Sequence, residues 1–332
     1  MTDRQNHSSG EDSLIARYFR PMATDPGAFN LDDDAAILQA LGGDLVVTTD
    51  AIVEGVHFLP DDPPDTVARK ALRVNLSDLA AKGASPAGFL LTLALPAAEQ
   101  AWLQPFARGL GEDAAVFGCP LLGGDTVSTP GPKMISITAF GRVAAGRMVH
   151  RSGAKPGDRV VVSGTIGDAA LGLAVLTRRV TATALADVAS NALLAERYRV
   201  PQPRTALANA VRDHASAAMD VSDGLAGDLA KLCAASGVSA VIDAQSVPLS
   251  AAAAGMLARG RADIAAIVSG GDDYEILCAI PELRLAAFEQ AAARAGVAVS
   301  SIGTILAGSE LPRFLDSQGQ ALGLPRLSYS HF

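Results

Sequence analysis

Short runs of apolar residues alternate along the chain with longer segments in which apolar positions recur every three or four residues. The short runs are typical of strands, and the longer segments are typical of amphipathic helices. The pattern predicts a buried strand at 45–50 that ends in Asp50, and a short strand that ends at Asp220. It predicts further strands at 89–95, 134–143, 159–163, 239–243 and 274–280, and helices at 66–82, 97–117, 167–179, 203–214, from about Gly224, and at 282–295. This alternation predicts a mixed α/β protein.

The helix predicted at 66–82 has two distinct faces. Three leucines form an apolar stripe along one of them. Asn75, Asp78 and Lys82 share another face, because residues three and four apart are neighbours on a helix. The helix therefore presents a carboxylate and an amine away from its apolar stripe.

A run of turn-forming residues, RSGAKPGD at 151–158, separates the two halves of the chain. Both halves show the α/β alternation, and 332 residues exceed the usual size of one core. We therefore predict a mobile N-terminus at 1–12, an N-terminal α/β domain at 13–148 and a C-terminal α/β domain at 149–332.

The charge balance is acidic, with 27 Lys and Arg against 35 Asp and Glu and a net charge of −8. No basic block is present to neutralise a phosphate backbone, which argues against nucleic acid as a partner. The longest apolar stretch, residues 88–96, is far shorter than the roughly 20 residues that span a bilayer, and the polar N-terminus does not resemble a signal peptide. We expect no membrane association. The three widely spaced cysteines favour a reducing cytoplasm.

Aspartates recur at the apparent ends of predicted elements. They occur in the segments DDD 32–34, TTD 48–50, SD 77–78, GGDT 123–126, DVSD 220–223 and GGDD 270–273. Any one segment has a local explanation, because Asp and Ser cap helices and Asp-Gly forms turns. Together they predict a shared site, since loops at the strand ends of α/β folds converge on one crevice.

Several carboxylates in one crevice need protons or cations. Two like charges about 4 Å apart cost about 4 kcal/mol at an effective dielectric of about 20. Oxygen ligands without His or Cys favour Mg²⁺, which binds a few carboxylates together with the oxygens of a phosphate substrate. The aspartates therefore predict a metal–nucleotide site.

The common nucleotide-binding and nucleophile motifs are absent from the sequence. It contains no P-loop and no Gly-x-Ser-x-Gly. GLGEDA at 109–114 matches the dinucleotide fingerprint only loosely and falls within a helical pattern, so we interpret it as accidental. Among five histidines, only His57 lies close in sequence to an acidic segment.

Longer motifs resemble the thiamine-monophosphate kinase family in order and spacing. They are SLIARYF 13–19, TTD 48–50 with HFLP 57–60, NLSDLAA 75–81, GGDT 123–126, RSGAKPGD 151–158, DVSDGL 220–225, SGGDDYE 269–275 and the terminal HF 331–332. The resemblance covers nearly the whole chain. It implies a two-domain fold like that of aminoimidazole ribonucleotide synthetase and a homodimer formed through the N-terminal domains.

The resemblance also implies an activity, the transfer of the γ-phosphoryl group of ATP to thiamine monophosphate with several Mg²⁺ ions. The products would be thiamine diphosphate and ADP. Residues that match the family's metal ligands are Asp34, Thr48, Thr49, Asp50, Asp78, Asp125, Asp220 and Asp223. Residues that match its ATP contacts are Asp125, Arg151 and Ser222, and those that match substrate contacts are His57 and Asp272.

Three positions depart from the family pattern. The first acidic loop reads NLDDDA at 30–35 instead of Gly-x-Gly-Asp-Asp-Ala, so it has fewer glycines and one more negative charge. Asp272 replaces the usual Glu and is one methylene shorter. Arg326 stands where some members have an aromatic residue that packs on the substrate, although Tyr329 lies nearby in sequence. We expect these changes to alter substrate affinity rather than the reaction.

Several residues keep a local interpretation as well. Arg151 could form a salt bridge at the domain junction instead of contacting ATP, and Ser222 could cap the helix that follows it. Asp272 and Asp273 could bound a glycine turn ahead of a strand.

We expect direct in-line transfer without a covalent nucleophile, because phosphoryl transfer depends mainly on positioning and charge neutralisation. Selenophosphate synthetase is disfavoured, because its catalytic Cys or selenocysteine lies near the N-terminus and the first cysteine here is Cys119. The RSGAKPGD motif and the His57 segment point away from the aminoimidazole ribonucleotide and formylglycinamidine synthetases. Two further hypotheses are a hydrogenase maturation protein and a non-catalytic sensor of nucleotide or thiamine phosphate.

Overall fold

The computed structural model describes residues 14–31, 38, 42–177, 188–324 and 327. The chain divides into two compact units, unit 1 (Met1–Asn75 and Pro86–Arg142) and unit 2 (Leu76–Ser85 and Val143–Phe332). The domain limits drawn from the sequence stay a prediction. The N-terminus predicted to be mobile lies outside the described residues.

Unit 1 is built on a four-stranded sheet. Its strands are β1 (Asp44–Val53), β2 (Ser85–Leu95), β3 (Leu121–Ser128) and β4 (Met134–Val143), in the order β1-β4-β2-β3. β2 and β3 are parallel. The helices of this part of the chain are α1 (Pro64–Ala81) and α2 (Gln100–Val116), with short helical turns at Ile15–Phe19, Arg20–Met22 and Pro26–Leu31. The last residues of α1 belong to unit 2.

Strand β1 differs from its prediction. We predicted a buried strand that ends at Asp50, but β1 continues past Asp50 to Val53. Its side chains alternate, so that Val46 is buried whereas Leu45 and Val47 are exposed. The prediction failed because a short apolar run does not show whether a strand is buried on one face or on both.

Unit 2 is built on a six-stranded sheet in the order β10-β7-β9-β5-β8-β6. Its strands are β5 (Arg159–Ser163), β6 (Ala217–Val221), β7 (Ser239–Asp243), β8 (Glu275–Ile280), β9 (Val299–Leu306) and β10 (Arg313–Leu315). All its pairs are antiparallel except β10 with β7. Its helices are α3 (Asp168–Leu176), α4 (Val188–Arg199), α5 (Ala208–His214), α6 (Leu225–Ser236), α7 (Ala251–Ala258), α8 (Ile264–Ser269) and α9 (Glu282–Arg294), with short turns at Thr205–Leu207 and Ala244–Ser246.

Strand β8 of unit 2 is buried on both faces. In β8, Leu277 and Ala279 pack into one apolar cluster, whereas Ile276, Cys278 and Ile280 pack into a second. Successive strand side chains point to opposite faces, so the two clusters lie on opposite sides of the sheet. A strand with this environment is apolar at nearly every position, which explains why the sequence predicted it.

Most sequence predictions of elements are confirmed. The strands at 134–143, 159–163 and 239–243 have their predicted bounds, and GLGEDA lies inside α2. The helix predicted at 167–179 ends at Leu176, and residues 178–187 lie outside the described part of the chain. The pattern did not predict β3, α4, α8, β9 or β10. Among the described helices, none is long and apolar enough to cross a bilayer.

Candidate functional site

The chain leaves β6 and enters α6 through the turn Ser222-Asp223-Gly224. Gly224 has φ 118°, and a Cβ at this position would lie 2.8 Å from the carbonyl carbon and oxygen of Ser269. The turn therefore requires glycine. Gly224 is also the N-cap of α6. The prediction that Ser222 caps the helix is wrong.

A second predicted motif packs against this turn. The Asp272 N–H donates to the Ser222 carbonyl at 2.7 Å, and the Tyr274 N–H donates to the Val221 carbonyl at 2.8 Å. Near the end of α1, the Ser77 hydroxyl donates to the Tyr274 carbonyl at 3.4 Å. These hydrogen bonds bring three of the acidic motifs together within unit 2.

The loop after α8 has a demanding backbone conformation. Asp272 and Tyr274 have φ of 71° and 51°, in the left-handed region that residues other than glycine seldom adopt. Between them, the buried Asp273 accepts hydrogen bonds from the Gly167 N–H at 2.7 Å and the Ala169 N–H at 3.4 Å. Burial raises the pKa of Asp273 well above its ordinary value. The loop is thus anchored to the start of α3 and is more than a simple glycine turn.

A buried ionic network follows directly after this loop. The fully buried Glu275 carboxylate accepts hydrogen bonds from Arg204 Nε at 2.6 Å, from Arg197 at 2.9 Å and from the Ser163 hydroxyl at 2.7 Å. Burial lowers the pKa of Arg204, but the hydrogen bond and charge of Glu275 outweigh this effect and raise it. The network satisfies a carboxylate that would otherwise be costly to bury.

Lys82 connects the end of α1 to β6. Its Nζ donates to the Ala218 carbonyl at 2.8 Å. Burial lowers the pKa of the Lys82 amine from its ordinary value of 10.5, and the positive charge of Arg151 lowers it further. The carboxylates of Asp220 and Asp78 oppose this shift, and Asp220 has the larger effect. The Lys82 ammonium group therefore interacts electrostatically with two predicted metal ligands, Asp78 and Asp220, and with the predicted ATP contact Arg151.

The carboxylate of Asp223 is paired with a lysine. Lys231 Nζ donates to Asp223 at 2.5 Å and to Asp228 at 2.8 Å, and Asp228 accepts the Asp223 N–H at 2.9 Å. Burial raises the pKa of Asp228. Burial lowers the pKa of Lys231, but the two carboxylates outweigh this effect and raise it. Asp223 is thus held in place at the entrance to α6.

In unit 1, the residues Thr48, Thr49 and Asp50 follow one another along β1. Their side chains alternate between the two faces of the sheet, so Thr48 and Asp50 share a face that Thr49 does not. Thr49 Oγ1 donates to the Ile137 carbonyl at 3.2 Å, and the Asp50 N–H donates to Asn75 Oδ1 at 3.1 Å. The side chains of Thr49 and Asp50 are exposed.

Asp125 lies inside β3, not at the end of an element as predicted. Its side chain is exposed. It lines a cavity of about 800 Å³ in unit 1, together with Thr92, Thr126, Thr138 and several leucines. The lining of the cavity therefore includes both polar and apolar side chains.

His57 lies in a turn just after β1, and the turn fixes its ring. The Val53 N–H donates to His57 Nδ1 at 3.1 Å, so the neutral ring carries its proton on Nε2. The buried Lys70 donates from Nζ to the His57 carbonyl at 2.8 Å. The first contact orients the imidazole, and the second holds the backbone of the turn.

Unit 2 brings Asp78, Asp220 and Arg151 together around Lys82. It also joins the Ser222–Asp223 turn to Asp272. Asp34 and Arg326 lie outside the described residues. Across residues 14–31, 38, 42–177, 188–324 and 327, no three carboxylate, imidazole or thiol groups are grouped so that they could hold a metal ion.

Sequence reasoning missed the residues that support the site, namely Lys82, Arg197, Arg204, Asp228, Lys231 and Glu275. For Lys82 a signal existed, because it shares a helix face with Asp78. Asp228 and Lys231 are three residues apart on α6, a spacing that pairs charges on a helix. No local signal marked Arg197 or Arg204, whose partner Glu275 lies 78 and 71 residues further along the chain.

Comparisons with known proteins agree with the arrangement of motifs. Residues 32–143 match the AIR synthase related protein, N-terminal domain, and residues 155–315 match the AIR synthase related protein, C-terminal domain. These regions include every predicted site residue except Arg151 and Arg326.

Individual proteins are similar over nearly their full length. Thiamine-monophosphate kinase of Caulobacter vibrioides is 46% identical over 326 residues, which cover 96% of this chain and 89% of that protein. The structure of thiamine-monophosphate kinase from Stenotrophomonas maltophilia K279a aligns with a TM-score of 0.82 and 37% identity, covering 94% of this chain and 96% of that chain. The structure of AaThiL complexed with AMPPCP and TMP aligns with a TM-score of 0.77 and 30% identity, covering 90% and 91%.

Proposed function

The chain belongs to the AIR synthase related proteins and, within them, to the thiamine-monophosphate kinase family, and we propose on this basis that it transfers the γ-phosphoryl group of ATP to thiamine monophosphate. The products are thiamine diphosphate and ADP. The observation that carries the proposal is the meeting of the DVSDG, SGGDDYE and NLSDLAA motifs in unit 2. AaThiL, which aligns with this chain, was solved with AMPPCP and TMP bound.

The entrance to α6 supplies groups that suit a phosphate. The first N–H groups of a helix have no partner within the helix and bind phosphate oxygens. Gly224 lets the chain turn sharply into this helix, and Ser222 lies just before it. We assign Ser222, Arg151 and Asp125 to ATP binding.

The donor chemistry of the assigned residues fits Mg²⁺. Asp78 and Asp220 offer hard carboxylate oxygens, and both interact electrostatically with the Lys82 ammonium. The assigned ligands include no nitrogen or sulfur donor, which favours Mg²⁺. We assign the metal to Asp34, Thr48, Thr49, Asp50, Asp78, Asp125, Asp220 and Asp223. When bound, Mg²⁺ neutralises the charge of the phosphates, which would otherwise repel the attacking phosphate of the substrate.

The substrate is assigned to His57, Asp272 and Arg326. The neutral imidazole of His57 is a hydrogen-bond donor through Nε2. The backbone N–H of Asp272 donates a hydrogen bond to the Ser222 carbonyl. This bond holds the loop that carries Asp272 against the turn that carries Ser222, which is assigned to ATP. Transfer is direct and in line, because positioning rather than a covalent nucleophile limits such reactions.

We also propose a homodimer formed by unit 1. Leu45 and Val47 on β1 are 50% and 56% exposed, and Leu90 on β2 and Val127 on β3 are exposed as well. A monomer seldom leaves so much apolar sheet in water, and a second copy presents the same apolar surface in return.

The three cysteines are free and buried, which supports a reducing, cytoplasmic location.

Light scattering coupled to gel filtration tests the dimer. Val47→Lys should convert the wild-type dimer to a monomer at micromolar concentration, because it places a charge in the apolar contact. The matched control is Val188→Lys, on a valine that is 86% exposed on α4, and it should remain a dimer. A wild-type monomer, or a dimeric Val47→Lys variant, contradicts this part of the proposal.

The activity is tested with purified protein, ATP, Mg²⁺ and thiamine monophosphate, with free thiamine as the control substrate. We expect thiamine diphosphate and ADP in equal amounts, only from the monophosphate and only with Mg²⁺. ATP binding without turnover would instead support a sensor. Incubation with γ-³²P-ATP alone should leave the protein unlabelled, and a labelled protein would exclude direct transfer.

A further inference from the structure

Lys82 occupies a fixed position at the end of α1. Its N–H donates to the Asp78 carbonyl at 3.0 Å just after the last residue of α1, and the chain turns at Gly83, which has φ 70°. A Cβ at Gly83 would lie 2.7 Å from Arg212 Cβ, so the turn packs closely on α5 and leaves no room for a side chain at this position. From there the Lys82 side chain reaches the Ala218 carbonyl of β6, 136 residues away in sequence.

Two carboxylates flank this ammonium. Asp78 lies one helical turn before Lys82 on the same face of α1. Asp220 lies two residues after Ala218 on β6, so its side chain points to the same side of the strand as that of Ala218. Both carboxylates interact electrostatically with Lys82, and so does the guanidinium of Arg151.

The two carboxylates and two cations balance one another before any ligand binds. A divalent cation that approaches Asp78 and Asp220 meets the Lys82 ammonium, and like charges at such distances repel strongly away from bulk water. The phosphates of ATP bring negative charge that offsets this repulsion. The order of binding therefore depends on which charges are already in place.

We propose that Lys82 is the resident countercharge of Asp78 and Asp220, and that it makes divalent-cation binding in this part of the site depend on the nucleotide. The inference rests on the proposed function, because it takes these two aspartates as metal ligands. Lys82 is a positioning residue in this scheme. It keeps the two carboxylates in place without the metal and disfavours a metal ion that arrives alone.

The test measures Mn²⁺ binding by the loss of the free-ion EPR signal, with wild-type protein and without nucleotide. Lys82→Met removes the charge and keeps the length of the side chain, and it should bind Mn²⁺ about tenfold more tightly. Lys82→Arg keeps the charge and should bind like the wild type. The control Arg284→Met changes the net charge equally, at an exposed position on α9, and should also bind like the wild type.

A second arm repeats the titration with a non-hydrolysable ATP analogue. The analogue should strengthen Mn²⁺ binding to the wild type more than to Lys82→Met, because only the wild type has the ammonium to offset. Unchanged or weaker Mn²⁺ binding by Lys82→Met overturns the inference. If Lys82→Met does not show a cooperative unfolding transition, Lys82→Gln, which keeps a donor for Ala218, carries the same test.

The two proposals fail separately in these experiments. Wild-type turnover of thiamine monophosphate together with unchanged Mn²⁺ binding by the variants would reject the role of Lys82 and leave the kinase. Absence of wild-type turnover would reject the kinase, whereas a tenfold gain in Mn²⁺ affinity for Lys82→Met would still show that Lys82 acts as a countercharge. Absence of Mn²⁺ binding by any of the proteins would overturn the inference.

Discussion

The assigned residues of unit 2 and unit 1 are held in different ways. In unit 2, the turn before α6 and the loop after α8 are joined by backbone hydrogen bonds and supported by the buried, hydrogen-bonded carboxyl groups of Asp273 and Glu275. In unit 1, the side chains of Asp50 and Asp125 are exposed on strands of the sheet. A strand positions its side chains through its regular geometry, whereas a loop needs partners of its own.

A substitution in the site can lower activity in two ways, by destabilising a loop or by removing a contact with a ligand, and a measurement of activity alone does not separate them. Residues such as Glu275 stabilise the loop and need not contact a ligand. Residues such as Asp220 and Asp125 are assigned to the ligands themselves. Variants that keep the shape of the side chain and remove its charge can tell the two groups apart, since a change in the free energy of unfolding marks support and a change in kcat/KM marks contact.

The largest effect is expected for Asp220→Asn. The kcat/KM for thiamine monophosphate should fall about 10³-fold, because a carboxylate assigned to hold Mg²⁺ against the phosphates is lost. The melting temperature should fall less than for Glu275→Gln, because the amide has the same shape and Asp78 still offsets part of the charge of Lys82. Asp213→Asn, at an exposed ion pair on α5, is the matched control and should keep wild-type kinetics. Comparable losses of activity and stability for Asp220→Asn would assign it to structure alone.

Glu275→Gln should have the largest effect on stability. Arg204 and Arg197 would then face an uncharged amide inside the protein, and the free energy of unfolding should fall by about 3 kcal/mol. Denaturant titration measures this change. Glu282→Gln, with a side chain that is 65% exposed, should be neutral. A loss below about 1 kcal/mol would show that the network does not support the loop.

Asp125→Asn is the counterpart in unit 1. We expect kcat/KM to fall about 100-fold, while the free energy of unfolding stays within about 0.5 kcal/mol of the wild type because the side chain is exposed. Asp61→Asn, also exposed in unit 1, is the control for charge removal. A stability loss of several kcal/mol would show that the open sheet depends on its carboxylates as the loops of unit 2 do.

The smallest effect is expected for Asp272→Glu, which restores the side chain usual in the family. The longer side chain should lower KM for thiamine monophosphate about threefold with little change in kcat. Asp tolerates a positive φ better than Glu, so the variant should also lose about 0.5 kcal/mol of stability. An unchanged KM would show that the shorter aspartate already reaches the substrate or does not contact it.

Much of the fold followed from the sequence because its signals are local. A continuous apolar run predicted β8, and a leucine stripe predicted α1 within two residues at each end. Strands β9 and β10 were missed because their exposed and half-buried positions break the apolar pattern. β1 was predicted in the right place with the wrong burial, since its neighbours decide which face meets water.

The motifs determined the family, and with it the candidate residues, because each motif is a short stretch of consecutive residues. Only the tertiary structure decided how these residues are held. Lys82 meets Ala218 across 136 residues, and Ser163 meets Glu275 across 112. Such pairs have no signature in a single sequence, because the contact exists only after the strands between them have paired. The sequence by itself therefore identified the candidate site residues, whereas only the folded structure showed the long-range contacts that hold them in place.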